Sequence, residues 1–508
     1  MGRASTNSAV CGSSVLRRIS ARGGLAGLAL AGALGLLQGC KPVGPDYQRP
    51  PFTAPAAYKE KGAPSVVAPP NPQGGNWQPA SPSDGMLKGK WWEVYQDPQL
   101  NQLEERIATT NQGLRQALET YLAARDQIAA TRADLFPRIS AGPGFTHDAA
   151  SRNRPLARAT SGSSYNDLTL EATGSWEPDF WGRVRRNVEA TRASAQASAA
   201  DMANVDLTLQ AQMATAYFQL RGADSLIQLL DSTVKDLESQ LDLAQRRLKG
   251  GVATEADVAL ARTQLETVRA QRVDAEQALA QYEHLVGTIA NDDLSSFSIP
   301  FSPLTLTLPD VPVGVPSQLL QRRPDIAAAE RRTQAANAQI GIATSAFYPN
   351  ISLSGTGGFE STHGGTWIQG PSALWSLGAQ ATELLFDAGQ RHALTDQARH
   401  DYEAQVSAYK NSVFQAFEDV EDQLSSLRVL ARESVAEQAA VASAQHSFDI
   451  SNQRYKGGVT SYLEVLTAEQ TLLQNQQTAV GLQTRQFVAS VGLVRSLGGG
   501  WDATQLPK

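Results

Sequence analysis

Cysteine is nearly absent from this 508-residue chain: only Cys11 and Cys40 occur. Six histidines are scattered without HExxH or other metal-ligand spacing. GTGGF at Gly355 has no following Lys or helix start, so it is no phosphate loop. No nucleophile–base pair can be recognised, and neither an enzyme activity, a metal nor a cofactor is expected. Basic residues are in deficit. The net charge of −6 argues against nucleic acid as a partner, which would require a basic face. Aromatics make up 7% and mean hydropathy is −0.29, which suits long solvent-facing helices better than a thick globular core. No stretch reaches 18 consecutive apolar residues. Insertion into lipid beyond an export signal would therefore require a closed β-barrel.

The longest apolar run, Gly24 to Leu37, has 14 residues and follows Arg17, Arg18 and Arg22. A charged region, a short apolar region and a small residue at the cut read as a secretory signal over 1–39. Its end, Leu37-Gln38-Gly39-Cys40, resembles a bacterial lipoprotein signal, in which cleavage precedes the cysteine and diacylglycerol is attached to its thiol. Cleavage there leaves Cys40 without a disulfide partner, so lipidation of Cys40 and anchoring in outer-membrane lipid are expected. Residues 40–90 read as a tether, Pro/Gly/Ser-rich and aperiodic. Trp91 and Trp92 are expected to fasten it to a helical body.

What remains is written twice. LFPRIS at Leu135 is answered by FYPNIS at Phe347, with Pro137 and Pro349 212 residues apart. DFWGR at Asp179 is answered by FDAGQ at Phe386, with Gly182 and Gly389 207 apart. RRLKGGVATEADV at Arg246 is answered by QRYKGGVTSYLEV at Gln453, again at 207. The five-residue change of offset places an insertion in a loop between the Pro and the Gly. The repeats span 91–300 and 301–497, followed by a tail, 498–508.

Inside each repeat, apolar and polar residues alternate over about 138–147 and 167–177, then 350–360 and 374–385. Leu168, Leu170, Ala172, Gly174 and Trp176, for example, alternate with Thr169, Glu171, Thr173, Ser175 and Glu177. About ten residues is the length of a tilted transmembrane strand. The pattern fits a soluble hairpin with one wet face equally; the export signal favours a barrel. Four strands cannot close one, about eight being the minimum. Strands of three or four chains must then be pooled, giving about twelve or sixteen.

Arg183 to Lys249 contains no Pro and little Gly; its 67 residues would span on the order of 100 Å as helix. Val234, Leu237, Leu241, Ala244 and Leu248, then Val258, Ala261, Leu265 and Val268, have the spacing of an antiparallel coiled coil. The second repeat does the same with Val413, Phe417, Val420, Leu424 and Leu427, returning through Leu463, Leu466, Gln470, Leu473, Gln477 and Val480. Glu469 reads as part of a wet face. The doubled Gly-Gly supplies a left-handed helix C-cap. Thr254 with Asp257, and Ser461 with Glu464, read as capping boxes of the next helices. Two hairpin tips follow, at about 249–254 and 456–461.

Taken in order, CKPVGPDYQRP, KWWEVYQDPQL, LFPRIS, SWEPDFWGRVR, RRLKGGVATEADV, RRPDIAAAE, FYPNISL, LLFDAGQR and RYKGGVTSYLEVLTAEQ resemble the outer-membrane factors, over essentially the whole mature chain. These are the TolC-like exit ducts, and the match is closer to the OprM/NodT-type efflux lipoproteins. The resemblance implies a mixed fold and a homotrimer, with four strands per chain pooled into a 12-stranded transmembrane β-barrel that continues into a long periplasmic α-helical coiled-coil barrel. It implies passive conduction of drugs or other small molecules to the exterior. Its partners would be a periplasmic adaptor and an inner-membrane pump of the resistance-nodulation-division (RND) type. The positions matching the adaptor-docking tips are Arg247, Leu248, Gly251, Val252, Thr254 and Asp257, with Arg454, Tyr455, Gly458, Val459 and Tyr462. Leu463 and Thr467 match the periplasmic gate, Thr467 standing where the family carries an aspartate. A duct for type I protein secretion and a periplasmic adaptor lipoprotein are the other readings. The lipoprotein signal and the VGPDY segment favour small-molecule efflux over the former, and the strand patterns disfavour the latter.

Overall fold

The computed structural model describes residues 41–55, 57–60, 89–149, 151, 153, 164–311, 316 and 319–507. Cys40 and the leader lie outside them. A 3₁₀ turn, Trp91–Tyr95, precedes helices α1 (Pro98–Thr110) and α2 (Gln112–Ala133), strands β1 (Arg138–Ala149) and β2 (Ser164–Trp176), and helices α3 (Arg183–Lys249) and α4 (Glu255–Ala290). The short α5 (Leu319–Arg322) leads to α6 (Pro324–Ser345), strands β3 (Asn350–Ser361) and β4 (Ala373–Thr382), and helices α7 (Gln390–Lys456) and α8 (Tyr462–Ser496).

The duplication shows in the lengths. Helices α2 and α6 have 22 residues each, and α3 and α7 have 67 each. Helices α4 and α8 have 36 and 35. Strands β1 and β3 are both 12 residues long, so the change of offset arises beyond them. The chain divides into two compact units. The first comprises the described parts of 1–48, 125–194 and 333–404; the second comprises those of 49–124, 195–332 and 405–508.

The first unit holds one antiparallel sheet in the order β1-β2-β3-β4. Its register decides what each face is made of, because directly paired residues point to the same side. Phe145 pairs with Leu168, Pro143 with Leu170, Ala141 with Ala172 and Ile139 with Gly174. Leu170 pairs in turn with Phe359, and Trp176 with Leu353. Leu353 then pairs with Ala379, Gly355 with Leu377 and Gly357 with Trp375. One face is therefore apolar across all four strands. The other carries Ser140, Thr173, Ser354, Thr356, Ser376 and Gln380, with Ser140 and Thr173 hydrogen bonded at 2.8 Å. The large residues of the apolar face are uncovered: Ile139, Trp375 and Leu377 are 78%, 79% and 80% exposed. Strand β4 ends at Thr382, short of 385, because its partner β3 begins at Asn350 and Pro349 before it has no amide to extend the ladder; beyond it the Arg391 guanidinium donates to the Leu384 carbonyl at 2.6 Å. Strand β2 begins at Ser164, earlier than its alternation suggests.

The SWEPDFW motif clamps both Pro-centred motifs at the strand starts. Trp176 Nε1 donates to the Leu135 carbonyl (3.0 Å), and Trp181 Nε1 donates to the Pro349 carbonyl (2.8 Å). Asp179 accepts from the Val184 and Arg185 amides at the start of α3; Asp387 accepts from the Gly389 and Arg391 amides at the start of α7. These aspartates are helix caps, one per repeat. The segment following Cys40 is extended yet pinned. The buried Arg186 guanidinium donates to the Val43 and Gly44 carbonyls and pairs with Asp46 at 2.9 Å. Gly182 (φ 82°) permits the approach, since a Cβ there would lie 2.4 Å from Pro42.

The second unit is a helical body. Its core gathers Trp91, Trp92, Tyr95, Leu100, Ile107, Phe218, Val286, Val420, Phe487 and Val494. Tyr95, Phe218 and Phe487 stack in sequence, and the Tyr95 hydroxyl bonds Ser490 at 2.7 Å. The buried pair Arg221–Asp224 (2.9 Å) fixes the segment after α4 through the Pro300 carbonyl and the Ser302 amide. Two segments read from sequence as a tether and a tail are packed here. Phe52 stacks on Phe417, and Trp501 and Leu506 pack on Ala200, Ala327 and Ala328, because their apolar rings and branches have small-residue helix surfaces to cover.

Two substitutions test the faces of the sheet. An Arg at Trp375, on the apolar face, is expected to cost about 2–4 kcal/mol in a bilayer, whereas Ser376→Arg on the polar face costs little. The folded, SDS-resistant fraction in membranes measures both. Equal losses would contradict the assignment of faces.

The paired hairpin tips as candidate functional site

Both tips belong to the second unit, and both end their first helix the same way. The Val252 amide donates to the Arg247 carbonyl and the Gly251 amide to the Leu248 carbonyl, each at 2.9 Å. In the second tip Val459 donates to Arg454 and Gly458 to Tyr455, again at 2.9 Å. This six-to-one plus five-to-two pattern is the Schellman cap, and it needs a left-handed residue. Gly251 (φ 76°) and Gly458 (φ 75°) supply it.

The second helices start differently. Thr254 and Asp257 form the full capping box: the Thr254 amide donates to Asp257 Oδ2 at 2.9 Å and the Asp257 amide to Thr254 Oγ1 at 3.2 Å. Ser461 makes no side-chain cap, and Glu464 is exposed, so the second box expected from the sequence is not formed. Burial of Tyr462, the first residue of α8, fixes that start instead.

The first tip grips the second. Arg247 Nη1 donates to the Lys456 carbonyl at 3.1 Å, and its guanidinium lies 4.6 Å from the centre of the Tyr455 ring. Tyr455 meets Tyr462 edge-on at 5.4 Å. Around them Ala244, Ala261, Val465 and Leu466 close a small core shared by α3, α4, α7 and α8. The apolar residues at the turns themselves point outward: Val252 is 67% and Val459 71% exposed, with Leu248 and Arg454 also exposed.

Leu463 and Thr467 lie together on another face of α8. Leu463 is 56% exposed, and Thr467 Oγ1 donates back to its carbonyl at 2.9 Å. Thr471 repeats the bond to Thr467, so this face presents an apolar side chain and a row of backbone-satisfied hydroxyls.

The buried stripe of α8 keeps Leu466 and Leu473 of the seam read from sequence but is otherwise displaced by one residue. It comprises Tyr462, Val465, Leu466, Glu469, Leu472 and Leu473, while Leu463 and Gln470 fall outside it. Glu469 is thus not on a wet face; it is 5% exposed. Gln240 of α3 joins it to Tyr462: Gln240 Nε2 donates to Glu469 Oε1 (2.8 Å), and the Tyr462 hydroxyl donates to Gln240 Oε1 (3.2 Å). Burial, only partly offset by the Gln240 bond, pushes the Glu469 carboxyl up to about 7. Gln240 and Glu469 were missed as a pair. The available signal was spacing, since Glu469 stands four residues from both Val465 and Leu473.

A two-faced antiparallel sheet, duplicated together with two long helix hairpins, is the protomer fold of the TolC-like outer-membrane channels. The OprN outer-membrane channel superposes with a TM-score of 0.81 at 28% identity, covering 90% of this chain and 99% of that one. The CmeC channel of Campylobacter jejuni gives 0.83 over 92% and 96%, a likeness of fold at 22% identity. The family described as "Outer membrane efflux protein" matches residues 103–287 and again 315–499, one match in each repeat. The chain belongs to that family. Its relatives include the probable efflux pump outer membrane protein TtgC of Pseudomonas putida, 32% identical over 93% of this chain and 95% of its own length. The pyoverdine export outer membrane protein OpmQ of Pseudomonas aeruginosa is 29% identical over 84% and 90%. This chain is an outer-membrane efflux channel, spanning that membrane and extending into the periplasm.

The Gly-Gly turns offer a direct test. Gly251→Ala should destabilise its hairpin by about 1–2 kcal/mol, the left-handed penalty for a residue with a Cβ. Gly250→Ala should be tolerated, because its nearest neighbours are 3.5 Å away and its φ is not positive. Amide exchange across 246–258 distinguishes them; equal acceleration would contradict the cap assignment.

Proposed function

We propose that three copies of this chain form the exit duct of a tripartite efflux pump, each contributing four strands to a twelve-stranded barrel. The observation that carries this reading is the sheet register: an apolar face continuous over four strands, backed by a polar one, in a sheet bounded by β1 and β4. Lipid takes the apolar face and the lumen takes the other. Edge closure within hydrocarbon requires further copies, since eight strands is about the least that closes. Solutes diffuse through the lumen, and the duct does no chemistry on them. Relatives named for toluene, solvent and pyoverdine export support small molecules as the cargo, with selection left to the inner-membrane pump.

The tips meet a periplasmic adaptor. Exposed Val252, Val459 and Leu248 give it apolar knobs, and Arg454 a charge at the rim. Arg247, Tyr455 and Tyr462 hold the two tips together behind that surface, with Gly251, Gly458, Thr254 and Asp257 shaping the turns. Leu463 and Thr467 line the closed periplasmic entrance, whose ring is apolar and hydroxyl in character. Cys40 carries the lipid that tethers the chain to the inner leaflet of the outer membrane, a role supported by the Leu37–Cys40 signal.

Leu463→Ala or Thr467→Gly is expected to raise single-channel conductance of the reconstituted assembly severalfold. Unchanged conductance in both variants would remove these residues from the entrance.

A further inference from the structure

Besides the Tyr462–Gln240 bond, three side-chain bridges tie α8 to the first hairpin among the described residues, and only one of those three contains a carboxyl. Gln470 donates to Gln264 of α4 at 2.9 Å, and Gln477 to Gln271 of α4 at 3.3 Å. Both are neutral amide pairs. The third is the Gln240–Glu469 bond, in which a glutamine at 469 would serve the same geometry. Glu469 instead places a carboxyl between two apolar layers. Tyr462, Val465 and Leu466 of α8, clustered with Tyr455 of α7, precede it; Leu473 of α8, clustered with Leu237 of α3 and Leu265 and Val268 of α4, follows it. One of its oxygens accepts from Gln240. The other, Oε2, is buried with no hydrogen-bond partner among the described residues.

We propose that Glu469 is a proton-operated latch between the two hairpins: neutral, it lets α8 pack against α3, and ionised, it loosens the packing behind the entrance. The proposal deepens the reading of the tips as a closed entrance and rests on it. The groups around the carboxyl favour the neutral form. Asp236 of α3 is a like charge that raises its proton affinity after burial itself. Tyr462 of α8 faces it through Gln240; its hydroxyl is pushed up by burial first, with Glu469, Tyr455 of α7 and Asp257 of α4 adding to the rise. The cation of this cluster, Arg247, is engaged with the Lys456 carbonyl and the Tyr455 ring.

The direction of the switch follows from linkage. A carboxyl raised from its ordinary 4.5 to about 7 in the packed state is neutral there at acid pH. Its contribution to the packed state is complete below the ordinary value and is lost as pH rises through about 7. Near the transition each pH unit changes the ratio of charged to neutral forms about tenfold. A latch at this position therefore responds within the neutral range, whereas an ordinary glutamate would stay ionised throughout it.

The test uses the full-length channel in planar bilayers, with conductance recorded from pH 5.5 to 8.5. Wild type is expected to pass from a low to a severalfold higher conductance with a midpoint near 7. Glu469→Gln should hold the low value across the range. Gln240→Leu should move the midpoint upward, because the Gln240 bond favours the charged form; a merely structural role for Gln240 would not shift a midpoint. Infrared difference spectra of the same samples give a readout independent of conduction: a protonated-carboxyl band that disappears between pH 6 and 8 in wild type and is missing from Glu469→Gln. A pH-independent wild type, or a transition that survives in Glu469→Gln, overturns the latch. If Leu463→Ala and Thr467→Gly also leave conductance unchanged, the reading of the entrance fails with it; if either opens the channel, the latch alone has failed.

Discussion

A backbone in hydrocarbon has nothing to bond to except itself. That constraint governs this chain, because its sheet has four strands and so two outer edges, β1 and β4. Every ladder inside the sheet is satisfied by β1–β2, β2–β3 and β3–β4 pairing. The edges must be satisfied by further strands. The apolar face must also be uninterrupted, since one polar row among the four strands would face lipid. Except at one end of the sheet, where Leu168 meets Ser361 and His147 meets Asn166, the register achieves this by pairing apolar and small residues, with Gly174, Gly355 and Gly357 opposite Ile139, Leu377 and Trp375.

Duplication is what makes the constraint affordable to a single gene product. Each repeat delivers one strand pair and one long helix hairpin, and the same anchoring devices recur in both. Asp179 and Asp387 cap the helices that leave the sheet, and Gly251 and Gly458 end those helices at the tips. The two copies diverge at the hairpin tips. The first tip starts its return helix with a polar capping box. The second starts it by burying Tyr462, and thereby places Tyr462, Gln240 and Glu469 in one chain of hydrogen bonds. The first tip is held by local bonds, and the second is held by its packing against the first.

Much of this was legible from residues alone, and the rest was hidden for physical reasons. Period-two alternation located the four strands, and the absence of proline from Arg183 to Lys249 marked a helix that the structure bounds at the same residues. Strand ends were less visible. Thr382 ends β4 because its partner Asn350 is the first residue of β3 and Pro349 before it has no amide to donate, which the pattern of β4 itself does not encode. The phase of the α8 seam was misread because glutamines at 470 and 477 kept the expected spacing, whereas the buried stripe runs through Tyr462 and Glu469. A buried glutamate looks like an exposed one until its neighbours are known. The pinning of Val43, Gly44 and Asp46 by Arg186 depends in the same way on contacts between distant segments.

The two faces of the sheet should meet different media. A nitroxide scan of residues 373–382 in proteoliposomes tests it most directly, reading collision with lipid-soluble oxygen and with a water-soluble nickel chelate. A period of two is expected, with oxygen favoured at Trp375, Leu377 and Ala379 and the chelate at Ser376, Gly378 and Gln380. A scan without alternation, or with the two sets exchanged, would contradict it.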